Sequence, residues 1–223
     1  MSRESDTRHL VVFAVLAAPF YLNDFANIYI ADWRWWLAID YVAVKFFPLA
    51  VIAWLITSRR MTRDDFGLVS QTGVMFLATL LIAALAGTLI DQNAYTLLAR
   101  LPGYDALGRM PEIRSSAWDR FDLSFGLLLV GFLEELVFRA YACTVIRRYT
   151  ASPAVIVAVS ALAFGLIHWS LGFHTVLITA VIGAVFMAIY LRTRSVPALA
   201  LAHFAVNFID FAGVIPKVIF KWV

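Results

Sequence analysis

Gly131-Phe132-Leu133-Glu134-Glu135-Leu136-Val137-Phe138-Arg139-Ala140-Tyr141 sets two adjacent carboxylates and an arginine inside a long apolar run. At bilayer depth each such charge costs roughly 2.5–3.5 kcal/mol on insertion scales. Three in one segment oppose insertion unless they are paired or face a wet cavity. Glu135 and Arg139 stand four residues apart with the acid first, the favourable order for a pair on one helix face. Glu134 projects about 100° away from them and finds no partner within its own helix. An ionisable group left in that position is a functional-site hypothesis, and its partners must come from other segments.

The composition around this stretch is that of a membrane protein. Of 223 residues, 62% are hydrophobic and 15% charged, with a mean hydropathy of +0.83. Soluble domains carry about 45–50% apolar and about 25% charged residues. The length suits one membrane-embedded domain, residues 1–223, rather than two. The net charge of +3 comes from arginines and lysines scattered at segment ends, which reads as orientation and not as a nucleic-acid footprint. Cys143 is the single cysteine, so an internal disulfide and a thiolate metal cage are excluded. Its apolar surroundings predict an inert buried thiol. The first apolar run lacks the short core and small-residue site of a cleavable signal peptide.

Apolar segments are predicted at about 9–30, 37–57, 72–90, 121–146, 152–169, 174–190 and from 195 onward. Each has roughly the 17–25 residues that a bilayer-spanning helix needs. The runs are continuous and not alternating, which excludes a barrel. The expected fold is all-α: a polytopic transmembrane bundle of about seven spans. Ser152-Pro153 supplies an N-cap and a proline at the first helical position of the fifth segment. Trp33, Trp35 and Trp36 beside Asp32 and Arg34 mark a membrane–water interface, and Asn23 and Asp24 are expected near it. Lys45 lies too deep to snorkel fully and is expected to pair with a neighbouring helix. The polar connection 91–120 reads as an interfacial helix (the pattern at 95–101) or as a lid.

Arginine and lysine counts give the orientation. Nine lie on the N-terminal side: Arg3, Arg8, Arg59, Arg60, Arg63, Arg147, Arg148, Arg192 and Arg194. The opposite side has three (Arg34, Lys217, Lys221), or seven when Arg100, Arg109, Arg114 and Arg120 of the long connection are included. The N-terminus is therefore expected in the cytoplasm of a multi-pass plasma (inner) membrane protein, with the C-terminus outside.

His168 closes the fifth segment, while His203 and Asn207 are spaced four apart on one face of the seventh. With Glu134 they provide a carboxylate, two imidazoles and an amide on three helices. That set suffices for hydrolysis by acid–base catalysis with oxyanion stabilisation. The same residue types are compatible with helix–helix hydrogen bonding, with a metal held by Glu134, His168 and His203, or with a proton relay. Composition and spacing do not choose among these.

Glu134-Glu135-x-x-x-Arg139, Phe164-x-x-x-His168 and His203-x-x-x-Asn207, in that order and each on its own segment, resemble the three motifs of the CAAX protease and bacteriocin-processing (CPBP, or Abi) family of intramembrane endopeptidases. The resemblance covers about residues 131–210. Upstream, Asp65-Phe66-Gly67-Leu68 is similar to a recurring family loop. The resemblance implies that Glu134, aided by His168, activates the hydrolytic water without a metal cofactor. It implies that His203 and Asn207 hold the oxyanion and that Glu135 and Arg139 support the site. The zinc alternative stays with the family's older reading. The implied partners are the lipid bilayer and a protein or peptide substrate with a hydrophobic or lipidated end, and not nucleic acid. Such a substrate is a C-terminal sorting tail of an exported protein or, alternatively, a prenylated CAAX end on the cytosolic side. A non-enzymatic scaffold or a proton-linked carrier is the competing class. A carrier is expected to show paired repeats and Gly-interrupted spans, and neither is visible.

Overall fold

The computed structural model describes residues 3–68, 72–98 and 101–215. It is helical, with no strand among the described residues. Helix α1 is Arg3–Tyr29 and α2 is Trp33–Thr57. Helix α3 is Gly73–Leu98, and α4 runs over 116–146 in consecutive helical segments. Helix α5 is Pro153–Leu171, α6 is Phe173–Thr193 and α7 is Val196–Phe211. Five of these contain stretches long and apolar enough to cross a membrane, and α7 is a shorter apolar helix. Helix α4 has the length, but every 18-residue window within 116–146 carries at least three charged residues.

The helix starts follow from their capping residues. The side chain of Asp32 accepts from the Arg34 N–H at 2.8 Å. Ser152 accepts from the Val155 N–H, with Pro153 following it. Ser195 caps α7 through the Ala198 N–H, with Pro197 in the first turn. Each cap satisfies one N–H group that a helix start leaves open. The main core gathers around Phe138 of α4. Its ring meets Phe13, Phe20 and Tyr21 of α1 and Phe164 of α5 edge-on, with centroids 5.4–6.3 Å apart. Helix α7 packs against α3 and α4.

Contacts between helix ends divide them into two layers. At the first end, Arg148 pairs with Asp6 at 2.8 Å, and Arg8 donates to the Arg60 carbonyl. The turn Asp64–Phe66 docks there, with the buried Phe66 stacked on Tyr141 at 4.9 Å. Gly67 follows in the left-handed region (φ 62°), so close to Tyr190, Val196 and Ala140 that a Cβ would not fit. This gives the Asp65-Phe66-Gly67 loop a structural role. At the opposite end, Asp24 accepts from the Ser170 N–H at 2.6 Å. Asn27 donates to Ser170 Oγ and accepts from Trp36 Nε1, both at 2.9 Å. Asp24 is therefore buried in helix packing at this end.

The long connection lies over that second end. Helix α3 continues to Leu98, so residues 95–98 extend the third helix. The remainder of the expected helix at 95–101 includes residues 99–100, outside the described residues, as are Lys217 and Lys221 of the C-terminal tail. Residues 101–115 form an irregular strap. The Leu107 and Gly108 N–H groups both donate to the Ser170 carbonyl, at 2.8 and 3.2 Å. The Arg109 N–H donates to the Asn27 carbonyl at 3.0 Å. At Gly108 a Cβ would stand 2.4 Å from that same carbonyl oxygen, so this close approach needs glycine.

Candidate active site

The charged motif of α4 lies at a change of helical pitch. Leu127–Glu135 is α-helical and Leu136–Tyr141 is a π turn, a wider turn that recurs at functional sites. The widening leaves the Phe138 carbonyl to a side-chain donor: Ser160 of α5 gives its hydroxyl hydrogen at 2.6 Å. Arg139 and Glu135 are fully buried and pair at 3.2 Å, Nε to Oε2. The guanidinium carbon lies 4.1 Å from the centre of the Phe164 ring. Its Nη1 and Nη2 have no hydrogen-bond partner among the described residues. A buried charge without its counter-ion is costly, so this pair holds the inner wall.

Helix α7 supplies the next partner. His203 Nδ1 is 2.9 Å from Glu135 Oε1, and its Nε2 is 3.4 Å from Glu134 Oε2. One imidazole therefore spans both glutamates, and Glu134 finds on α7 the neighbour its own helix lacks. Helix α7 packs directly over Gly131, one turn before Glu135, where a Cβ would make an ordinary contact with the His203 ring at 3.4 Å. Phe164 of α5 ties the motifs together. Its ring meets His203 edge-on at 5.8 Å and His168 edge-on at 5.4 Å, besides carrying Arg139. Phe186 of α6 closes the other side of His203 at 6.0 Å.

His168 sits where α5 changes character. Pro153–Gly165 is α-helical and Leu166–Leu171 is a 3-10 turn, with His168 itself off helical geometry (φ −104°, ψ 24°). Its ring lies within hydrogen-bonding reach of the Phe164 and Gly165 carbonyls one turn back. Two residues on, Ser170 is fixed by Asp24 and by the strap. Asn207 lies one turn beyond His203 on the same face, half-buried, and no hydrogen bond ties it to Glu134, Glu135 or His168 among the described residues. The structure thus joins Glu134, Glu135, Arg139 and His203 directly and brings in His168 through Phe164. Asn207 stays unlinked.

Among the described residues, no group of three or more His, Cys, Asp or Glu side chains is arranged to hold a metal ion. Glu134, His168 and His203 are not gathered into such a group, since His168 meets His203 only through the Phe164 ring. Cys143 is fully buried, its sulfur 3.4 Å from an Arg194 nitrogen.

Several positions beside this site were not assigned from the sequence. Lys45 pairs with Asp40 of its own helix, not with a neighbouring one. Asp40–Phe46 is a π turn, and the wider turn makes a five-residue spacing a contact, which α-helical spacing does not suggest. Phe164 was visible only as the first letter of a motif. Asn27 and Ser170 gave no sequence signal, since each becomes informative only when α1 and α5 meet.

Residues 116–209, the part that holds all these side chains except Lys45, Asp40 and the α1 contacts, match the family described as "Type II CAAX prenyl endopeptidase Rce1-like". No curated protein and no solved structure matches the chain. Its helices make this chain a multi-pass membrane protein, and over residues 116–209 it is similar to the Rce1-like proteases of the CPBP family.

Proposed function

We propose that this chain is an intramembrane endopeptidase that hydrolyses a peptide bond near the membrane-anchored end of a protein substrate. The observation that carries the reading is Glu134: a carboxylate at membrane depth, 3.4 Å from His203 Nε2, within the region similar to CAAX proteases. In this reading Glu134 takes a proton from water, and the hydroxide attacks the peptide carbonyl carbon. The C–N bond then breaks as Glu134 returns the proton to the leaving amine. His168, oriented by the backbone of its own turn, assists water activation. His203, held by Glu135, and Asn207 present N–H groups to the oxyanion. No metal takes part.

The substrate we favour is a C-terminal sorting tail of an exported protein, reached from the strap side, with the first end in the cytoplasm of the plasma membrane. The strap lies at the end nearer His168, which supports access from there. A second reading, cleavage of a prenylated C-terminus on the cytosolic side, is favoured by the description of the matching family. Mass spectrometry of cut ends, after incubation of the purified protein with tailed and with prenylated peptides, separates the two. Cleavage of neither, under conditions where the protein is folded, would refute the endopeptidase reading. Cleavage of the prenylated peptide alone would refute the sorting-tail substrate.

A further inference from the structure

Helices α2 and α4 both enter the bundle from the strap side, and a line of polar side chains follows them inward. Tyr41 Oη and Asp122 Oδ1 would stand 2.7 and 2.1 Å from a Cβ on Gly126, so the two oxygens lie within 4.8 Å of each other, the sum of those distances. Tyr41 and Asp122 are each other's hydrogen-bonding neighbours, while Asn23 Oδ1 is buried without a hydrogen-bond partner. Asn23 Nδ2 reaches Asp40 at 3.5 Å, and Asp40 binds Lys45. The Lys45 ammonium lies 4.5 Å from the centre of the Tyr41 ring and close enough to Asp122 and Glu134 to act on both electrostatically. Lys45 is 12 residues into α2, roughly 18 Å along the helix, so the line runs from the strap end toward Glu134.

A line of buried polar and charged groups that ends in an unpartnered Asn23 Oδ1 is not what close packing leaves behind, since buried polar atoms are paired with protein or with water. Here the helices open for them: both Asp40–Phe46 and Asp122–Gly126 are π turns. At the strap end a cavity of about 820 Å³ lies between residues 27–34 and 108–115. Its wall includes Trp33 and Arg34 at the start of α2 and Ser115 just before α4.

We propose that Asp40, Tyr41, Lys45 and Asp122 line a hydrated passage that delivers water from this cavity to Glu134. Hydrolysis consumes one water per peptide bond, in surroundings otherwise built of Phe138, Phe164 and Phe186. The Asp40–Lys45 pair carries no net charge. The inference rests on the endopeptidase reading for its purpose but not for its test.

The test labels cysteines in the full chain reconstituted in lipid vesicles. Tyr41→Cys faces the passage, while Val42→Cys, at an adjacent residue that is 64% exposed on the outer helix surface, faces lipid. A water-soluble methanethiosulfonate should modify the cysteine at 41 at least about tenfold faster than that at 42, because only a hydrated thiol ionises to the reactive thiolate. Equal rates, or no modification at 41, would overturn the passage. Hydroxyl-radical footprinting of the unmodified protein gives a second reading should a variant misfold: an oxidised Tyr41 supports the passage and an unlabelled one opposes it. A kinetic arm uses Gly126→Ala, whose methyl group occupies the space shared by Tyr41 and Asp122. It should lower kcat about tenfold with KM unchanged, and unchanged kcat in a folded variant would count against the proposal. Labelling decides the passage whether or not a peptide is cleaved, so failure of the endopeptidase reading is seen separately.

Discussion

Arg139 and Glu134 carry the same burden of charge at depth but answer to different tests. Arg139 is enclosed by Glu135, 3.2 Å away, and by the Phe164 ring. Arg139→Ala leaves Glu135 buried with only His203 for company, and breaking such a pair costs about 3–5 kcal/mol. The expected result is a lower yield of monodisperse protein by size exclusion and a lower unfolding temperature. Glu134→Gln keeps shape and volume and removes a base. It should leave the melting profile near that of the wild type while peptide turnover falls by a factor of about 10²–10⁴. Full turnover in that variant would end the proposed mechanism. The contrast between these neighbours was legible in the sequence, because four-residue spacing pairs Glu135 with Arg139 and strands Glu134. That His203 would bridge both glutamates was not, since it depends on how closely α7 comes past Gly131.

At the scale of elements, the strap and the kinked end of α5 act as one unit, because two strap N–H groups share the Ser170 carbonyl. Gly108→Val would place carbon atoms against the Asn27 carbonyl, 2.4 Å from the position of a Cβ, and must lift the strap. Limited proteolysis should then cut within residues 101–115 of the variant under conditions that spare the wild type, and equal resistance would show that the strap is held otherwise. The helices themselves were readable from apolar runs and from caps such as Ser152-Pro153. Their pitch was not. Three π turns, at 40–46, 122–126 and 136–141, redirect Lys45, Asp122 and Arg139, and no residue pattern announces a change from 3.6 residues per turn. The strap was equally opaque: its order comes from backbone groups on α1 and α5 and not from periodicity of its own.

For the whole molecule, the two layers of helix ends predict that positions near Arg60 and Arg148 lie on the same side of the membrane. Reporter fusions at both should give the same compartment, and opposite compartments would contradict the fold. A cytoplasmic location for both supports access to the strap from outside, while an external location returns the cytosolic prenylated substrate to first place. Because Glu134 activates water directly in the proposed mechanism, exhaustive chelation of purified protein should leave turnover unchanged. Loss of turnover on chelation, with recovery on adding zinc, would overturn the metal-free mechanism. The bridge by His203 also has a meaning for biosynthesis. Helix α4 reaches the translocation machinery carrying Glu134 and Glu135, yet the imidazole that meets them is synthesised 68 residues after Glu135. During that interval Arg139 can neutralise only one of the two acids, and the other opposes release into lipid. Helix α4 is thus made three helices before α7 but settles only with it, so a nascent chain stopped before α7 holds an α4 whose second acid is still unmet.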